Sequence, residues 1–219
     1  MPIRAFLFDF DGLILDTEVA SRAGWELLYQ EHGHELPPEK WARTVGTHSD
    51  WDPMAHLEEL LGEPLEREAL HERRSAHELT LIEAEGLRPG IEDYFAAARR
   101  LGLKRAIVSS ASRTWVDMHL HRLEQAGGWD AICTADGIPE RAKPAPTLYL
   151  EALELLGVTA REAVAFEDSP NGVGAAKAAG IFCVAVPNEV TRALGLDEAD
   201  LVLDSLAELP PDALLARFA

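Results

Sequence analysis

The sequence predicts an α/β fold, a doubly wound parallel sheet with a small all-α insertion near its start. Three observations predict it. Short, almost continuous apolar runs recur along the chain, longer segments of helical periodicity separate them, and the stretch from 16 to 85 breaks that rhythm. Continuous rather than alternating apolar character belongs to strands covered on both faces. Strand–helix alternation builds a parallel sheet.

The runs at 3–10, 105–109, 129–134, 163–166, 181–186 and 201–203 are the strand candidates. The segments 91–101, 112–124, 145–156 and 171–179 are the helix candidates between them. Gly102, Gly157 and Gly180 stand where three of these helices would stop. The 16–85 stretch contains no convincing buried strand. It reads as amphipathic helices broken near Pro37 and Pro38, at Gly46, at Pro53 and at Gly62-Glu63-Pro64. Leu87-Arg88-Pro89-Gly90 forms the return linker. The expected organisation is therefore a core of residues 1–15 and 86–219 with a helical cap of residues 16–85.

Composition narrows the function classes. With 47% hydrophobic and 26% charged residues in 219, the chain has enough apolar material for a full core. Its net charge of −18 repels phosphate backbones, so nucleic acid is not an expected partner. No apolar run is long enough to cross a bilayer, and no charged-then-apolar leader is visible. Cys133 and Cys183 sit in apolar runs and read as small buried hydrophobes. A cytoplasmic protein without membrane partners is the expectation. Oligomeric state is unreadable, and a monomer is the default.

Ligands of open α/β sheets bind beyond the carboxyl ends of the strands. Asp9-Phe10-Asp11-Gly12 follows the first run, Ser109-Ser110 the second, Lys143-Pro144 a loop after the third, and Glu167-Asp168-Ser169 the fourth. Carboxylates gathered in one place repel one another and require a cation. All-oxygen ligation favours Mg²⁺, which commonly partners a phosphate. A lysine and a hydroxyl suit the remaining phosphate oxygens. One carboxylate can attack phosphorus once a metal screens the like charges. An acid two residues later can handle the proton.

These residues resemble the four motifs of the haloacid dehalogenase superfamily. The stretch from Asp9-Phe10-Asp11-Gly12 through Asp16-Thr17-Glu18 is similar to the first motif, Ser110 to the second, Lys143-Pro144 to the third and Glu167-Asp168-Ser169 to the fourth. The likeness runs along essentially the whole chain. It is similar to the β-phosphoglucomutase-like sugar phosphatases, a branch with a Rossmann-like core and a small helical cap between the first two motifs. The resemblance implies that Asp9 is nucleophile and Mg²⁺ ligand. It implies that Asp11 is general acid/base, with its backbone carbonyl also at the metal. Ser110 and Lys143 would bind phosphate, with Ser109 as the one-residue alternative to Ser110. Glu167 and Asp168 would complete the metal site.

The resemblance also discriminates among activities. True dehalogenases lack an acid two residues after the nucleophile, so Asp11 points to phosphate esters. Phosphomutases of this branch carry a histidine where this chain has Ser21 and an arginine where it has Ser49. The expected activity is Mg²⁺-dependent hydrolysis of a small phosphorylated metabolite, a sugar phosphate foremost. A phosphomutase is the alternative, and a non-catalytic phosphosugar-binding protein the second. Thr47, His48 and Ser49, in a polar loop after Gly46, are the expected specificity residues. Other features carry blander readings. His119 and His121 face different sides of one helix. His32, His34, His71 and His77 read as surface or loop residues. Trp25, Trp41 and Trp51 read as core of the insertion.

Overall fold

The structure, a computed structural model, describes residues 2–41, 44–46 and 51–218. Six strands form one sheet: β1 (Ala5–Phe8), β2 (Lys104–Ser109), β3 (Ala131–Thr134), β4 (Ala163–Glu167), β5 (Phe182–Ala185) and β6 (Leu201–Val202). Their order is β3-β2-β1-β4-β5-β6 and every pairing is parallel. The chain starts at the centre and winds outward in both directions. The point where the order reverses therefore lies at β1, between β2 and β4.

Each face of the sheet has its own core, as the continuous apolar runs require. Ala5, Leu7, Ala106, Val108, Ala163, Ala165, Cys183 and Ala185 face one way. These small side chains let α7 (Thr147–Leu156) and α8 (Pro170–Ala178) pack close to the sheet. Phe6, Phe8, Ile107, Val164, Phe166 and Val184 face the other way, toward α5 (Ile91–Leu101) and α6 (Arg113–Arg122). That face is aromatic. Phe166 meets Phe6, Phe8 and Tyr94 with ring centroids 5.3, 4.9 and 5.0 Å apart. Cys133 and Cys183 are buried and unbridged.

Among the described residues, four helices lie between β1 and α5: α1 (Glu18–Glu31), α2 (Pro38–Trp41), α3 (Pro53–Leu61) and α4 (Arg67–Ala84). The proline and glycine breaks act as expected. Pro38 and Pro53 open helices, and Gly62 closes α3 at φ 73°. Leu28, Tyr29, Leu36, Trp41, Met54 and Leu57 form a separate apolar cluster, with Trp25 and Trp51 packed against it. The tryptophans are thus core of this insertion. Its two crossings to the sheet are joined: Leu15 pairs with Leu87, and the Arg88 amide donates to the Ile14 carbonyl at 3.0 Å.

Four of the six strand candidates ran long at their ends, whereas β2 and β4 each extend one residue beyond theirs. The apolar run 3–10 yields only Ala5–Phe8, because past Asp9 the backbone leaves the sheet and turns at Gly12, φ 83°. A final helix, α9 (Pro211–Leu215), was not expected. Five residues give no readable periodicity, and Leu214 is held by burial rather than by pattern.

Truncating Phe166 to alanine should lower the unfolding free energy by about 3–5 kcal/mol, read from urea denaturation. Leu150→Ala, at a side chain 50% exposed, should stay within about 0.5 kcal/mol. Comparable losses for both would contradict the aromatic core.

Candidate active site

The register of β1 against β4, with Phe8 beside Phe166, brings the next residues, Asp9 and Glu167, together. The Asp9 amide donates to the Phe166 carbonyl at 2.9 Å, which holds the aspartate at the strand end. Lys143 enters from the loop between β3 and α7 and is 2% exposed. Its ammonium bonds Asp9 Oδ1 and lies 2.7 Å from Glu167 Oε1. Burial pulls the Lys143 pKa down, but the Asp9 and Glu167 charges more than offset it, so the net shift is upward.

Asp168, the next residue along, completes a buried triad: Asp9, Glu167 and Asp168 each offer an oxygen within 4.8 Å of the others. Tyr149 on α7 donates to Glu167 Oε1, and Asn188 donates to Asp168 Oδ2 at 2.8 Å. The remaining oxygens, Glu167 Oε2 and Asp168 Oδ1, are buried without a hydrogen-bond partner. Two glycines leave room for these carboxylates. A Cβ on Gly172 would sit 1.8 Å from Glu167 Oε2, and one on Gly12 would sit 2.1 Å from Asp168 Oδ2.

Burial foremost, then the Asp9 charge, pushes Glu167 up to about 7. Burial, followed by Asp9, Glu18 and Glu167, holds Asp168 well above the carboxylate range. Three carboxylates and one ammonium leave a surplus of negative charge that a divalent cation matches. The donor set is all oxygen, and the two orphaned oxygens are the acceptors such an ion needs. The residues present therefore fit a hard divalent cation.

Asp11 stands apart from the triad. Its Oδ1 accepts from Thr17 Oγ1 at 3.0 Å and from the Trp115 indole at 2.8 Å, while Oδ2 accepts from Ser109 at 3.3 Å. Burial foremost, with Asp9 second, raises its pKa to about 6 against the pull of those three donors. Glu18, at the start of α1, is raised to about 8 by burial first and then by Asp11 and Asp9.

Two cavities meet at Asp11, Glu18 and Ala111. One, of about 240 Å³, adds Asp9, Thr44, Gly46, Ser109 and Ser110. The other, of about 350 Å³, adds Thr17, Ser21, Glu78, Ser112 and Trp115. Thr44 and Gly46 of the insertion border the first. Ser110 Oγ donates to the Gly46 carbonyl at 3.2 Å, and Asn171 donates to the Val45 carbonyl at 2.9 Å. Ser110 also accepts the Lys143 amide at 3.2 Å. The two serines thus divide: Ser109 turns to Asp11, Ser110 to Lys143 and the insertion.

The structure brings together Asp9, Asp11, Ser110, Lys143, Glu167 and Asp168. Thr47, His48 and Ser49 lie outside the described residues. Sequence reasoning did not find Thr17's bond to Asp11, nor Trp115, Tyr149 and Asn188. Of the histidines, His119 is buried and His121 exposed, so they do not chelate together.

A family model for haloacid dehalogenase-like hydrolases matches residues 3–180. The chain belongs to the haloacid dehalogenase-like hydrolases. Within that family it is 43% identical over 213 residues to YhcW of Bacillus subtilis, covering 97% of this chain and 96% of that protein. It is 30% identical over 213 residues to hexitol phosphatase A of Escherichia coli, covering 95% and 94%. The crystal structure of a CbbY mutant from Rhodobacter sphaeroides in complex with xylulose-(1,5)bisphosphate superposes with a TM-score of 0.73 at 31% identity, covering 94% and 96%. The sugar-phosphatase resemblance and the Rossmann-like fold are both borne out. The chain is an enzyme of the phosphoric monoester hydrolase kind.

Adding a divalent cation to metal-stripped protein should raise its melting temperature. The gain corresponds to about 2.7 kcal/mol at a hundredfold excess over Kd. Asp168→Ala should fold, since it removes a buried charge, yet lose most of that gain in differential scanning fluorimetry. An undiminished gain would place the ion elsewhere.

Proposed function

We propose that this hydrolase is a Mg²⁺-dependent phosphatase acting on a small sugar or polyol monophosphate through an aspartyl-phosphate on Asp9. One observation supports the reading above others. A carboxylate–ammonium cluster with two orphaned acceptor oxygens adjoins a separately held Asp11 at a single sheet edge. Held by Asp9, the Asp11 backbone carbonyl, Glu167 and Asp168, Mg²⁺ would screen the repulsion between the Asp9 carboxylate and the phosphate.

The chain's residues then divide the work. Asp9 forms a bond to phosphorus as the ester P–O bond breaks. Asp11 gives its proton to the departing oxygen. In the second half, Asp11 takes a proton from water as that water attacks phosphorus, the bond to Asp9 breaks, and inorganic phosphate leaves. Lys143 and Ser110 hold the non-bridging oxygens. Helices of the 16–85 segment act as a cap over the core of residues 1–15 and 86–219, excluding bulk water during transfer.

The larger cavity supports the substrate class. Among the described residues its lining offers Thr17, Ser21 and Ser112 hydroxyls, the carboxyls of Glu18 and Glu78, and the Trp115 indole, but no lysine or arginine. Glu78 is paired with Arg74. Hydroxyls of a neutral leaving group find donors and acceptors there, whereas a second phosphate would face carboxylates. Ser21 lines the cavity where phosphomutases of this branch carry a histidine, which favours water as the acceptor. The charge of −18 fits a metabolite rather than a nucleic acid. No helix among the described residues is long and apolar enough to cross a membrane.

Phosphate release across a panel of phosphorylated metabolites with Mg²⁺ tests the proposal. Sugar and polyol monophosphates should turn over faster than bisphosphates, and Asp9→Asn should lose about a thousandfold or more in kcat. Conversion of β-glucose 1-phosphate to glucose 6-phosphate with little free phosphate would overturn hydrolysis.

The stretch after Gly46 is the proposed selectivity element. Replacing Thr47, His48 and Ser49 together by alanine should raise KM about tenfold for the best monophosphate, in line with the loss of one or two hydrogen bonds. Turnover of 4-nitrophenyl phosphate should hardly change. An equal response of both substrates would move selectivity to another wall.

A further inference from the structure

Trp115 is the only residue of α6 that lines the larger cavity. Its placement is fixed from three directions. Ser112 caps α6 and accepts the Trp115 amide at 3.3 Å, which sets the helix start directly after the end of β2. The His119 ring packs against the indole, centroids 4.3 Å apart at 71°, and Phe10 lies behind His119 at 6.5 Å. His119 is buried, and desolvation followed by Arg122 lowers its pKa to about 4, so an uncharged ring backs the indole. From that position the indole N–H reaches Asp11 Oδ1 at 2.8 Å.

We infer that Trp115 is a positioning residue for Asp11, fixing the orientation in which its carboxyl meets the leaving group. The inference rests on the reading of Asp11 as general acid/base. A carboxylate oxygen presents two lone-pair directions. On Oδ1 both are taken, one by Trp115 and one by Thr17 at 3.0 Å. The indole can only donate, so its bond fixes Oδ1 as an acceptor whichever way the Thr17 hydroxyl turns. Among the described residues Oδ2 has only Ser109, at 3.3 Å, whose hydroxyl also accepts the Ala111 amide. Oδ1 is thus held on the Thr17 and Trp115 side, and Oδ2 is left beside Ser109, which lines the smaller cavity with Asp9 and Ser110. An indole suits the task because it donates and cannot accept. It pins the carboxyl without competing for its proton.

A double-mutant cycle on the Mg²⁺-loaded enzyme tests this. Trp115→Phe keeps an aromatic wall and deletes the N–H. Its kcat for a hexitol monophosphate, a poor leaving group, should fall about tenfold to a hundredfold. For 4-nitrophenyl phosphate, which needs little protonation, it should fall less than about threefold. In an Asp11→Asn background the Trp115→Phe substitution should have almost no further effect on the hexitol ester. A loss that persists undiminished in that background, or one equal for both substrates, would overturn the inference and leave Trp115 as a pocket wall. If Asp11→Asn itself harms both substrates alike, the general-acid reading has failed instead. Should Trp115→Phe not fold, as judged by thermal melting, Trp115→Leu, which also lacks a donor, carries the same cycle with the same outcomes.

Discussion

Everything at the sheet edge depends on one electrostatic constraint. Asp9, Glu167 and Asp168 converge within 4.8 Å around the single ammonium of Lys143. At that spacing each like-charge pair costs about 3–4 kcal/mol even at an effective dielectric near 20. The fold accepts this cost because the register of β1 and β4 leaves no alternative: the residue after Phe8 must lie beside the residue after Phe166. Lys143 relieves part of the repulsion. Tyr149 and Asn188 each take one oxygen. Two buried oxygens, Glu167 Oε2 and Asp168 Oδ1, are left without a hydrogen-bond partner, which fits a cation.

The same constraint dictates local backbone choices that otherwise look arbitrary. Gly12 and Gly172 come from elements far apart in sequence, yet both exist to keep a Cβ out of a carboxylate's way. The Gly12 turn also carries the chain past the cluster, so that Asp11 points away from the triad toward Thr17, Ser109 and Trp115. Two aspartates two residues apart thus sit in different electrostatic surroundings. One faces an ammonium, the other faces neutral donors. That separation lets neighbouring carboxyls take distinct chemical roles.

Much of this was legible in the sequence. Strands buried on both faces appear as unbroken apolar runs, and Asp9, Lys143, Glu167 and Asp168 stand directly where such runs or their loops end. The less legible part comes from side chains whose partners are distant and whose own segments look ordinary. Trp115 lies on a helix with no special pattern, 104 positions from the aspartate it touches. Tyr149 sits among the leucines of α7 and reads as core until Glu167 is placed beneath it. Asn188 belongs to a loop after β5, where an amide is unremarkable. No periodicity separates an inward donor from an inward hydrophobe, so only the fold reveals them. Thr17 was in view as part of the first motif, but its hydroxyl's partner was not.

The pairing of Leu15 with Leu87 gives the chain an unusual freedom. About seventy residues leave and re-enter the sheet layer at neighbouring points, so the core experiences them as a closed loop with a nearly fixed mouth. Closing such a mouth costs only logarithmically more as the excursion lengthens. The excursion can therefore be lengthened, shortened or rebuilt at little cost to the sheet, and a single seam between two leucines is the joint along which the two come apart.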